Sequence, residues 1–203
     1  MSAEKEQRIW QLLIARRTAA AWERAVNRSA PDAADQANRL ARQMALQAIL
    51  NYEQGGNAAL GTYRDKKHPA VVAETFASLV SRAKALPVYL PELREYLLNH
   101  PQADSGGIES QFYWEKVNFG LKPTLRMVHA IIYQGKSPQE PAYAVALKQL
   151  YASHYFESTL DLTVCVKDSQ HPDHPGFYLI TLGIATSGPY RFEGRNCAQS
   201  CGR

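Results

Sequence analysis

Apolar residues recur at helical spacing through the first half of the chain and change to strand-like alternation in the second. Residues 4–27 carry Ile9, Trp10, Leu12, Leu13, Ala20, Trp22 and Val26 with Arg and Glu between them, the pattern of an amphipathic helix. Ser29, Pro31, Asp32 and Asp35 supply a cap, a first-turn proline and acids at the positive end of a second helix, which runs to about Gln54. Gly55-Gly56 then provides a left-handed stop. A third helix is predicted from about Val71 to Ala85, with Val72, Phe76, Leu79 and Val80 on one face and Pro87 ending it. A fourth begins near Pro91 and stops before Pro101.

Beyond residue 110 the period changes. Gln111 to Gly120 is aromatic-rich and fits either a helical turn or a strand. Leu125 to Gln134 reads as a strand, Ala142 to Tyr155 as one long strand, and Leu160 to Lys167 and Phe177 to Ala185 as two more, with a break near Glu157-Ser158. Short polar loops between them favour antiparallel pairing, because parallel pairing needs long crossovers. The expected fold class is α+β: helices over residues 1–100, then an antiparallel meander over 111–185, in a single domain 1–185 with a disordered tail 186–203. This order also resembles helix-grip folds, an analogy of layout only.

The densest polar and aromatic stretch is Lys148 to Lys167. At period two it places Gln149, Tyr151, Ser153, Tyr155 and Glu157 on one face and Lys148, Leu150, Ala152, His154 and Phe156 on the other. Neither face is cleanly apolar, as suits the wall of a cleft; an amphipathic sheet with Tyr and Ser outward is the plainer reading.

Composition narrows the function classes. The 203 residues are 45% hydrophobic and 21% charged, an ordinary globular balance. Of the net +4, the whole excess lies in residues 1–70, with 11 Lys/Arg against 7 Asp/Glu, while the remainder balances at 12 against 12. Four charges spread over several helices fall short of the basic stripe of a nucleic-acid binder, so no nucleic-acid partner is expected. The N-terminus has acids before its bases and only a short apolar run, so it does not read as a signal peptide. No stretch reaches the roughly 18 apolar residues of a membrane span, and the chain as given reads as cytoplasmic.

Nucleotide-cradling GxxxxGK[ST], GxGxxG, HExxH and GxSxG patterns are absent from the sequence. Three constellations remain. His129, His154 and Glu157, near Tyr113, Tyr151 and Lys148, could serve as acid, base or ligands if their strands are neighbours. Cys165 with His171, Asp173 and His174 offers soft-metal ligands, although a proline-rich turn explains HPDH more simply. Cys197 and Cys201 fill only half of a tetrahedral site and read as incidental. No metal or cofactor is therefore expected.

Tyr63, Arg64, Asp65, Lys66, Lys67 and His68 form a charged run that reads either as an anion-contacting loop or as a solvated connector. The block GGNAAL with Tyr63-Arg64-Asp65-Lys66, then FYWEKVNFGLKP at Phe112 to Pro123, His129, and KQLYASHYF at Lys148 to Phe156 together resemble a family of uncharacterised bacterial proteins, from about Ser29 to Leu182. The resemblance implies relatives with an export-type N-terminus and a basic C-terminal helix, a full-length form that is periplasmic or membrane-associated, and a chain cut short after Ala185. It transfers no catalytic residue.

The leading expectation is a domain that binds an apolar or amphipathic small molecule, with Tyr63, Arg64, Tyr113, Trp114, Lys148, Tyr151, Ser153 and Tyr155 as ligand-binding candidates. The alternatives are a hydrolase or lyase using His129 and His154, with or without a metal, and a scaffold that docks a partner through an apolar patch at Ile9, Trp10 and Leu13.

Overall fold

The structure, a computed structural model, describes residues 31–63, 69–103, 106–118, 123–136, 141, 143–153, 155–168 and 176–186. The first predicted helix, Arg64, His154, the HPDH turn, Cys197 and Cys201 lie outside the described residues.

Within them, helices precede a five-stranded antiparallel sheet, so the chain is α+β as its pattern predicts. Helix α1 (Ala33–Gly55) ends where the glycine pair stands. Gly56 takes φ 56°, opens a short 3-10 turn (Gly56–Ala59), and sends its N–H back to the Tyr52 carbonyl. A two-residue ladder of β1 (Thr62–Tyr63) and β2 (Ala70–Val71) leads into α2 (Val72–Arg82). The period of 3.6 buries Val72, Phe76, Leu79 and Val80 together on that helix.

Pro87 does not simply end the helical region. It lies within the first turn of a separate short helix, α3 (Ala85–Tyr89), where a missing N–H costs nothing. Helix α4 (Pro91–Asn99) starts with its proline in the first turn and buries Leu93, Tyr96 and Leu97.

The sheet runs in chain order through β3 (Ile108–Asn118), β4 (Pro123–Gln134), β5 (Tyr143–Ala152), β6 (Ser158–Lys167) and β7 (Phe177–Thr186). The ambiguous aromatic segment is thus a strand, giving five rather than four. Its alternation is weak because β3 is an edge strand with exposed residues on both faces.

One core joins the layers. Phe76, Leu79, Leu86, Leu90, Leu93 and Leu97 from the helices pack on Ile131, Tyr133, Ala144, Ala146, Leu160 and Leu162 of the central strands. The two β5 alanines face the bulkier residues above them, an alternation of small and large that lets the layers approach. Each fully buried large side chain contributes about 1.5–3 kcal/mol, and the conformational entropy of ordering the chain offsets most of the sum.

A register shift between Met127 and Val128 changes what β5 presents. Val128 pairs with Gln149 but Met127 with Tyr151, so two residues of β5 are spanned by one step of β4. This bulge moves Tyr151 onto the face that Lys148 occupies, against the strict alternation expected from the sequence.

Candidate functional site

Cross-strand register sets the site. Phe112 pairs with His129 and His129 with Lys148, so the three stand in one row across β3, β4 and β5 on the helix-covered face. The next row carries Trp114, Met127 and Tyr151. Three helix ends close over the first row: Tyr52 near the end of α1, Asn57 in the 3-10 turn and His100 just after α4.

Lys148 is fully buried. Its Nζ donates to Tyr52 Oη at 2.9 Å and to Asn57 Oδ1, and lies 4.3 Å from the ring centre of Phe76 and 4.8 Å from that of Tyr52. Every one of these partners is neutral, and among the described residues no carboxylate pairs with it. Burial accordingly pulls the amine down to about 7 from an ordinary 10.5.

Asn57 has no rotational choice. Its amide NH2 donates to the Leu97 and Leu98 carbonyls, 3.0 and 2.6 Å away at the end of α4, so its oxygen must face Lys148. Tyr52 Oη meets His129 Nδ1 at 3.2 Å. The hydroxyl accepts from Lys148 and still has a proton and a second lone pair to offer Nδ1, so either atom can be the donor in that contact. Burial, then His100, then Lys148 push His129 down to about 3, so the ring stays neutral near pH 7.

His100 completes the group. Its ring stacks on Tyr52 with centroids 5.0 Å apart and stands 5.1 Å from that of His129. Burial and then Lys148 lower its pKa. Both its ring nitrogens and His129 Nε2 are buried without a hydrogen-bond partner among the described residues. The cluster therefore keeps three buried ring nitrogens without a hydrogen-bond partner beside a Lys148 amine that has two acceptors.

The sequence-predicted residues divide around this cluster. Lys148 and His129 lie in it. Tyr151 sits beside it, its ring centre 6.2 Å from that of Tyr63, whose hydroxyl accepts the Ala152 N–H at 2.9 Å. Trp114 shares the row of Tyr151 and is 54% exposed, whereas Tyr113 is on the opposite face of β3. Ser153 pairs with Leu125 through both backbone and side chain and helps close the strand end. Tyr155 adopts φ 67° in the β5–β6 connection, and Glu157 binds Thr186 through its N–H at the far side of the sheet.

Sequence reasoning missed Tyr52, Asn57 and His100. The only hint was Asn57 within the GGNAAL block, since a tyrosine near a helix end and a histidine before a proline carry no distinguishing pattern. Cys165 is a half-buried free thiol in β6. No group of three or more His, Cys, Asp or Glu among the described residues could hold a metal ion. No helix among them is long and apolar enough to cross a membrane.

Fold and cluster together define the class: an α+β protein with a helix layer on an antiparallel sheet and a buried Lys–Tyr–His–Asn cluster between the layers. No protein-family model, no curated protein and no solved structure matches the chain.

Proposed function

We infer that the protein binds a small amphipathic molecule with an anionic head, a carboxylate for example, held by Lys148 and His129. The observation that carries this reading is the Lys148 amine, fully buried among neutral partners, with the His129 Nε2 beside it buried and without a hydrogen-bond partner among the described residues. A buried ammonium without a counter-charge is costly, and an anion that accepts from Lys148, and from His129 in its Nε2–H tautomer, offsets that cost. The row of Trp114, Met127 and Tyr151, with Tyr63 against it, supplies an apolar and aromatic lining for the rest of the molecule.

Dodecanoate serves as the probe, and native mass spectrometry reads it. The wild-type protein is expected to retain one molecule, and Lys148→Met, checked for folding by circular dichroism, to retain none. Equal retention by both proteins, or by neither, sinks the reading.

A further inference from the structure

Strand β7 is the last strand of the sheet among the described residues, and it is exposed on both faces. Edge strands normally carry a charge, a proline or a bulge that blocks pairing with another chain. Phe177–Thr186, FYLITLGIAT, has no charged residue and no proline in ten positions, and its register with β6 runs unbroken from Lys167↔Phe177 to Ser158↔Thr186. Among the described residues no strand pairs with its outer N–H and C=O groups, which lie along an unbroken, uncharged edge.

We propose that β7 pairs antiparallel with β7 of a second copy of this chain, joining two five-stranded sheets into one of ten. The occupant follows from the order of residue sizes along the strand. A two-fold axis at Thr181 sets Phe177 opposite Ala185 and Leu179 opposite Gly183 on the outer face. On the helix-side face it sets Tyr178 opposite Ile184 and Ile180 opposite Leu182. Each large outer residue thus meets a small one, and each inner pair is apolar, so the strand is complementary to itself in size as well as in charge. A charged or proline-bearing edge of another protein would leave this pattern unmatched.

Phe177 and Leu179 are 64% exposed, Tyr178 and Ile180 56% and Leu182 40%, so apolar side chains flank the edge on both faces and each can pack against a cross-strand neighbour on a paired strand.

Two single substitutions test this, Leu179→Lys on the outer face and Ile180→Lys on the inner one. Both side chains are more than half exposed, so neither change removes core packing. Sedimentation velocity across the micromolar range should give the wild type twice the 22.7 kDa chain mass and each variant the single-chain mass. Thermal unfolding of the variants, followed at a concentration where the wild type is dissociated, should match the wild type. Hydrogen exchange should show β7 amides protected in the wild type and released in both variants. A monomeric wild type, with β7 amides either free or covered by its own chain, overturns the proposal. So does a dimer that both lysines leave intact, or assembly into species larger than a dimer.

Discussion

Lys148 and Tyr52, separated by 96 positions in the chain, meet through a 2.9 Å hydrogen bond whose two ends are both buried. The bond ties the end of the first described helix to the central strand of the sheet. The same Tyr52 hydroxyl also meets His129 Nδ1, so the chemistry of the cluster and its mechanical connection have the same origin.

Removal of the hydroxyl alone should therefore be costly. Tyr52→Phe keeps the ring contacts but leaves Lys148 and His129 each short of a partner. A loss of about 1–3 kcal/mol is expected in urea unfolding. Combined with Lys148→Met, the loss should be less than the sum of the two, by about 0.5 kcal/mol or more, because the two groups share one interaction.

The two buried bases predict how stability depends on pH. Between about 7 and 10.5 the unfolded chain keeps a proton on Lys148 that the folded chain does not, so stability rises with pH through that window. Between about 3 and 6.5 the same holds for His129. Among the described residues, the rings of Tyr52, Tyr96 and His100 lie against these groups. Midpoints of chemical unfolding should climb in both windows; a profile that is flat or falling above pH 7 contradicts a buried amine of this kind.

Lys148→Met then acquires a pH signature of its own. At about pH 6 the substitution relieves the desolvation of the ammonium and should stabilise the protein by on the order of 2 kcal/mol. At about pH 10 the folded wild type carries a neutral amine, so the gain should vanish and the lost hydrogen bonds should dominate. Paired urea titrations at the two pH values measure the difference.

Gly56 leaves no space for a side chain. A Cβ placed there would stand 1.7 Å from the His100 carbonyl oxygen, and the residue already holds φ 56°. Gly56→Ala should cost on the order of 3 kcal/mol and loosen the contact between α1 and the end of α4. Denaturant unfolding gives the first, and broadened aromatic resonances of Tyr52 and Tyr96 the second.

The face of the sheet separates two aromatic candidates, Tyr113 on β3 and Tyr151 on β5. Tyr113→Ala, on the face away from Lys148, should leave retention of dodecanoate unchanged, whereas Tyr151→Ala should lower it. Native mass spectra of the two variants at equal ligand concentration make the comparison.

Much of the layout was legible because burial imposes a period. Val72, Phe76, Leu79 and Val80 recur at helical spacing, and Leu125 to Gln134 is a short, nearly continuous apolar run of the kind a buried central strand shows. Gly55-Gly56 marked the helix end through a backbone requirement that few other residues meet. The cluster was only half legible. Lys148 and His129 stood out as polar residues in apolar strands, but their partners come from helix ends whose approach depends on packing of distant segments. Tyr151 was assigned to the wrong face because a bulge is a cross-strand event and leaves no trace in the period of one strand.

Asn57 gives the arrangement one more property. A single planar amide holds two carbonyls at the end of α4 with its nitrogen and the Lys148 amine with its oxygen. Neither end can be released by rotation without reversing the polarity presented to the other. The lysine and the helix terminus therefore share one latch, and a displacement of the amine is transmitted to the last turn of α4 through this single side chain.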